Sequence, residues 1–417
     1  MKKTSLLFLL IFLSIKFLSA QSAFVDLIGT GEDQFTFIPP PPQFQLGLRT
    51  ATFNIIYNGY TTDAQSAFQY AADIWGSILI SNIPIKVNTY FTVLPGNLLG
   101  ITLPNGRKDF PNAPLTNTWY STSLANALSD SELNAGENDV DLYLNSTTNW
   151  YFGTDGNCPA GKYDFVSVAL HELCHGLGFV GLGKVASGIG SFGLVYASDF
   201  PGIVTSFPWP DLDTLPSVFD LHLTEYGGGF LSSYANPSAD LATQFTNNSV
   251  WFYGDSSQAA NPLRPHMYAP ATFILGSSLL HLNESTYPAG NINELMTPFS
   301  GTAEATHDPG PITIGILKDI GWNVNYTVGV KEVSATNGPV KIFPNPVRNQ
   351  FTVYAQHPVG NLQFPIDAIE ISDMMGRKIL EVKQPRFPLD VSNLSGGIFF
   401  CRIKCNNEIV IEKFVKQ

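Results

Sequence analysis

Between Val168 and Gly181 the chain reads VALHELCHGLGFVG, and no other stretch limits its fold and chemistry as much. The apolar spacing from Asp164 to Leu177 predicts a helix that stops at Gly178. On a helix, His171 and His175 stand four residues apart and share one face, so both imidazoles can reach the same Zn²⁺. Glu172 follows His171 by one residue and flanks the pair without joining it. There it can act as general base toward a water beside the metal, and then as acid toward a leaving amine. A chance H-E-x-x-H is rare, below roughly 1% of chains of this composition. The bland alternative is a helix whose two histidines only pack against the core.

A zinc enzyme of this kind needs a third protein ligand. The commonest form of the motif has a histidine ten residues after the first, and here that position is Gly181. On spacing alone the candidates are His222, His266, His281 and His307, together with carboxylates. His357 falls in a different region and is set aside. Gly178 can end the helix in a left-handed conformation and swing the chain back under the metal. Zinc peptidases whose third ligand is a glutamate on a later helix do not need that break.

The 417 residues exceed what one core usually serves, so two domains are expected. A charged content of 13% beside 44% hydrophobic residues suits a folded, loop-rich, β-containing protein. The net charge of −12 offers no basic face to neutralise phosphates, so nucleic acid is not an expected partner. MKKTSLLFLLIFLSIKFLSAQ reads as a secretory signal, residues 1–20, cut after Ala20. Lys16 breaks a run already short for spanning, and no later segment suits a stable membrane span. Export permits disulfides. Cys158 and Cys174 are close in sequence around the motif, and a bridge there would stabilise by ~3 kcal/mol. Cys401 and Cys405 fall on one strand, ~13 Å apart, too far to bridge, and read as buried free thiols.

The proline run in FTFIPPPPQFQLGLRT reads as an extended lead-in outside the core. ATFNIIYNG, IPIKVNTYFTVL and NDVDLYLNS read as strands. A helix capped by Thr62 is expected from Asp63 to Leu79, with Phe68, Ala71, Trp75 and Ile78 on its core face. The acidic stretch SDSELNAGENDVD could hold Ca²⁺, but it lacks a ligand spacing and reads as a solvated loop. From 182 to about 280 the chain is irregular. His222 reads as structural, His266 as a surface or loop residue, and His307 as a cap for the helix of DPGPITIGILKDIGW. Asp220 and Glu284 are weak candidates for carboxylates behind the histidines.

HExxHxxG, a long insertion, His281 in SSLLHLNES, Met296 in ELMTP and a helix ending DIGW follow in order. This order resembles the leishmanolysin-like branch of the metzincin zinc peptidases, over roughly residues 50–325. The resemblance implies an α+β fold: a twisted mixed sheet plus an active-site helix, then a C-terminal subdomain with a Met-turn. It implies His171, His175 and His281 as ligands of one catalytic Zn²⁺, Glu172 as general base and Met296 as the turn methionine. It implies that DVDLYLNS is an edge strand on which extended protein or peptide substrate pairs. Three features depart from the family. No cysteine lies between 21 and 157 to block the zinc, the insertion at about 182–280 lacks the family's dense cysteines, and Thr297 and Pro298 follow Met296 where some relatives place an oxyanion-binding tyrosine.

After Trp322 a polar linker, 329–340, leads into short β-rich runs. VKIFPNPVRNQFTVY, IEISDMMGRKIL, LDVSNLSGGIFFCRI and EKFVKQ appear in order and resemble the C-terminal sorting domain of the type IX secretion system. That resemblance implies a small all-β Ig-like sandwich at 341–417, the secretion machinery as partner, a Gram-negative source and a secreted or cell-surface product. A generic β-sandwich for adhesion is the alternative. The expected whole is a secreted zinc endopeptidase, residues 21–328, followed by a sorting domain. The competing readings are an exported binding protein on the same scaffold with little or no catalysis, and a zinc peptidase with a carboxylate as third ligand.

Overall fold

The computed structural model describes residues 27–199, 213–260, 263–326, 340–355, 366–373, 377–405 and 408–417. The expected signal peptide and residues 329–339 of the expected linker lie outside these. The chain forms two compact units, 1–328 and 329–417.

The first unit is α+β and is built on one six-stranded sheet. Its strands are β1 (Leu27–Ile38), β2 (Phe53–Asn58), β3 (Ile85–Thr92), β4 (Leu98–Pro104), β5 (Val140–Asn145) and β6 (Phe299–Thr306), in the order β6-β1-β4-β5-β3-β2. β2, β3 and β5 run parallel, whereas β4 is antiparallel to β5. FTFI, just before the proline run, ends β1, which lies inside the sheet. One sequence expectation fails here. DVDLYLNS is not an edge: β5 is paired on both sides, by β3 and β4, and has no free backbone for a substrate strand.

Helix α1 (Thr62–Ile78) buries Ala64, Ala67, Phe68, Ala71, Trp75 and Ile78, the stripe its spacing demands. Its cap is Thr61, one residue earlier than expected, whose hydroxyl accepts from Ala64 N at 3.2 Å. α2 (Phe165–Gly176) carries the motif, and all twelve of its residues are buried. Asp164 caps it, accepting from Ser167 N at 2.8 Å. The Trp75 indole donates to Leu170 O, which ties α1 to α2. α3 (Pro311–Ile320) starts with proline and stops at Gly321, whose φ of 125° favours glycine. The next residue, Trp322, donates its indole N–H to Leu177 O at 2.7 Å. That bond gives the tryptophan of DIGW a role: it satisfies a carbonyl at the end of α2.

The 182–280 segment is less irregular than expected. It contains the hairpin Gly183–Ala186 with Ile189–Phe192, the strands Leu223–Glu225 and Val250–Phe252, and the helix Ala239–Phe245. Phe192, Phe219, Phe245 and Phe252 join the same hydrophobic cluster as α2. The acidic stretch is anchored too, not merely solvated. Asp139 is fully buried and accepts from Lys86 N and Asn126 Nδ2.

The second unit is all-β. Strands β7 (Val340–Phe343), β8 (Gln350–Ala355) and β11 (Leu389–Asp390) form one sheet. β9 (Ile366–Asp373), β10 (Lys378–Lys383), β12 (Gly397–Cys405) and β13 (Glu408–Lys416) form the other. All pairings within the two sheets are antiparallel. Ile342 and Phe351 from one sheet meet Ile369, Cys401 and Phe414 from the other in a separate core. Cys401 is buried with a free thiol. The side chain of Cys405 lies outside the described residues.

Candidate metal centre

Four residues apart on α2, His171 and His175 turn their Nε2 atoms to within 3.0 Å of each other. His281 arrives from a loop 110 residues away and sets its Nε2 3.1 Å from that of His171. Among the described residues this is the one cluster of three or more metal-binding side chains. His171, His175 and His281 are 1%, 2% and 0% exposed.

Backbone carbonyls settle the tautomers. His171 Nδ1 lies 2.6 Å from Leu295 O, His175 Nδ1 2.7 Å from Phe179 O, and His281 Nδ1 2.9 Å from Ser277 O. A carbonyl only accepts, so each Nδ1 carries the proton and donates, and each Nε2 presents a lone pair. Three lone pairs converging in a dry site repel unless a cation lies between them. Tetrahedral Zn²⁺ with Zn–N near 2.05 Å sets nitrogens about 3.3 Å apart, close to the spacing found. The residues therefore fit a zinc ion. Burial, then the neighbouring imidazoles, holds His171 and His281 well below the usual histidine pKa, so both stay neutral as ligands must.

Two turns aim two of these carbonyls, those of Phe179 and Leu295. Gly178, at φ 108°, reverses the chain after α2, and Phe179 then reaches back to His175. A Cβ at Gly178 would also meet Ser121 Oγ at 2.9 Å. The second turn is the 3₁₀ segment Glu294–Met296. Leu295 O accepts from His171, while Met296 O accepts from Leu282 N at 2.7 Å, fixing the residue next to His281. Met296 itself is fully buried. Neither carbonyl contact leaves a mark in the sequence, because any residue type can supply it.

Glu172 is fully buried beside the cluster. Thr102 Oγ on β4 donates to its Oε2 at 2.7 Å. Gly100 lies against the same carboxyl: a Cβ there would come within 2.5 Å of Oε1. Sequence reasoning misses Thr102 and Gly100. The glycine in the run LLGITLP is the available signal.

The other expected residues fall elsewhere. A Cβ at Gly181 would approach Asp220 Oδ1 to 2.7 Å, so the position ten after His171 abuts a carboxylate. Asp220 accepts from Leu182 N and Ser217 N and holds the exit of the motif, not a histidine. Glu284 lies beside the Thr297 side chain. Neither carboxylate serves the histidine rings; backbone carbonyls do. His222 stacks on Phe252, and His266 stacks on Trp251. His307 does not cap α3. It is buried, with Nε2 2.9 Å from Asp164 Oδ2, so it braces the cap of α2.

The expected Cys158–Cys174 bridge is absent; both are free thiols. Cys174 is enclosed in the core on α2, whereas Cys158 Sγ lies 3.2 Å from Lys162 O. Burial pushes the Cys158 thiol up to about 12 and Cys174 well above its ordinary range, so neither is a ready thiolate.

Residues 341–417 match the family model of the secretion system C-terminal sorting domain. Residues 127–183, which include the motif, match a family described as SPBPB7E8-like. No curated protein matches the chain. One similar solved chain is PorZ, an essential bacterial surface component of the type-IX secretion system of Porphyromonas gingivalis. It is 17% identical, with 24% of this chain and 14% of that one covered, at a TM-score of 0.15. The likeness is too slight and too partial to bear on the fold. The sorting domain makes this a type IX-secreted protein, released or held at the cell surface. Among the described residues no helix is long and apolar enough to cross a membrane.

Proposed function

We propose that the first unit is a zinc-dependent endopeptidase of the metzincin type, with His171, His175 and His281 as ligands and Glu172 as general base. The convergence of three unprotonated Nε2 atoms beside a buried glutamate carries this reading. Zn²⁺ bound there would polarise a peptide carbonyl and acidify water. The Glu172 carboxylate, oriented by Thr102, takes the proton of the attacking water and passes it to the leaving amine. The Leu295, Phe179 and Ser277 carbonyls fix the tautomer of each ring and turn its Nε2 inward. The Met296 turn supports this reading because it holds both the first ligand and the neighbour of the third. Protein or peptide is the substrate class, and no cofactor beyond Zn²⁺ is required.

One observation favours the second reading, a surface binding protein on this scaffold: the base and all three histidines are sealed from solvent. Zinc content and casein cleavage by the full chain separate the two. Glu172→Ala is expected to keep its zinc and lose roughly 10²–10⁴-fold in cleavage rate. His281→Ala is expected to lose both. Full zinc and full activity in His281→Ala would remove it from the ligand set.

A further inference from the structure

The 3₁₀ segment that supplies Leu295 O to His171 begins with a carboxylate that the zinc reading does not use. Glu294 is 3% exposed. Thr306 Oγ donates to its Oε1, while its Oε2 has no hydrogen-bond partner. Glu294 lines a cavity of about 20 Å³ together with Glu304, Ser300 and Thr306 of β6, Ser167 and His171 of α2, and four apolar residues. That volume holds one small particle, an ion or a water.

Glu304 is 8% exposed and brings a second carboxylate to the cavity. β6 departs from a regular strand at Ala303, φ 53°, and the Glu304 Oε2 accepts from Gly301 N at 2.6 Å. Charge there is one-sided. Glu294 is repelled by Glu304, and Glu304 in turn by Glu284 and Asp164. Asp164 has His307 beside it, but among the described residues no lysine or arginine pairs with Glu284, Glu294 or Glu304. Buried carboxylates need a partner charge, because the interior replaces little of the hydration they lose. A proton shared by Glu294 and Glu304 still leaves one negative charge buried. A divalent cation neutralises both.

We propose that Glu294 and Glu304 hold a structural Ca²⁺, with the Thr306 and Ser300 hydroxyls as its further protein ligands. The donor set is all oxygen, which suits a hard cation and not Zn²⁺. Mg²⁺ keeps several waters in a regular octahedron, and this cavity has no room for them. Ca²⁺ accepts irregular mixtures of carboxylates and hydroxyls, and a secreted chain works where Ca²⁺ is plentiful. Ser167 Oγ is not a ligand: it donates to Asp164 Oδ2 and accepts from Thr306 N. The ion pins the Glu294–Met296 segment to β6, and so steadies the carbonyl that orients His171. The site stands whether or not the histidine cluster is a peptidase centre.

The test takes the full zinc-loaded chain, desalted into calcium-free buffer, and follows its melting by calorimetry. CaCl₂ at about 10 mM is expected to raise the transition of the first unit by about 3–6 °C and to leave that of the second in place, for a Kd on the order of 10⁻⁴–10⁻³ M. MgCl₂ at the same concentration is expected to give less than about half that shift. Glu294→Gln and Glu304→Gln keep the side-chain shape and remove the repulsion. Both are expected to melt no lower than the calcium-free parent and to lose the calcium shift. Equilibrium dialysis with radioactive calcium is expected to find one ion fewer on each variant than on the parent. A parent whose first transition ignores calcium would overturn the site. A Glu294→Gln chain that keeps the whole shift and the same ion count would overturn it too, and would mark an adventitious ion only.

Discussion

In the second unit, consecutive strands pair with each other: β7 with β8, β9 with β10, β12 with β13. In the first unit, Thr30 bonds to Ser300 across 270 residues, and two of the three clustered histidines are 110 residues apart. The sorting unit is a set of largely local pairings around one small core, and its sequence pieces are legible in order. The first unit closes its sheet only when the segment after the Met296 turn returns to β1. Its site exists only as a product of that closure. A region whose structure is local can be matched piece by piece; a region built on distant contacts keeps one short signature, the helix that carries two of its ligands.

Cutting the chain after residue 328 should have the largest effect and would separate the two regions outright. Export is expected to be abolished, read by immunoblot of culture supernatant and cell surface, while the remaining unit keeps its zinc stoichiometry. Zinc lost with the cut would mean that the first unit depends on the second. Core truncations come next. Phe351→Ala and Trp75→Ala each remove a fully buried ring from one core and should cost about 3–5 kcal/mol. Calorimetry of the full chain should show each change lowering one transition and leaving the other in place.

A smaller difference is expected in pH dependence. Burial raises Glu294 to about 8 and Glu304 to about 7, both in the first unit. Their folded pKa values lie above the unfolded value near 4.5. The folded state therefore retains protons that the unfolded chain releases, and this stabilisation falls as pH rises from about 5 toward 8. A tenfold gain in proton affinity on folding is worth ~1.4 kcal/mol at most. Urea denaturation of the metal-free chain should show the first unit weakening over that window, and Glu294→Gln should flatten the trend. Least of all, Thr61→Ala should cost ~1 kcal/mol through the lost cap of α1, seen in the first transition alone.

The helix of the motif, the α1 stripe and the stop at Gly321 are readable because each follows from spacing along a few turns. His281 and Met296 are reachable only through resemblance, since spacing leaves four histidines open. The departures share one cause. β1 escapes a sequence reading because its outer half is exposed and its sequence, LIGTGEDQFTFI, has no sustained alternation. β5 passes for an edge because pairing partners do not show in a strand's own residues. Cys158 and Cys174 invite pairing by closeness in sequence, but one is packed into the core on α2 and the other turns to a local carbonyl.

The sequence alone determined a helix with two imidazoles and a glutamate on adjoining faces, a break at Gly178, and an exported chain with a β-rich sorting domain. Those follow from backbone periodicity and from ordered local motifs. Only the tertiary structure decided which distant histidine joins the pair, which carbonyls hold the three rings, and that β1 lies between β4 and β6. Carbonyl contacts and strand neighbours depend on where the backbone goes, and no side chain encodes them by its own identity.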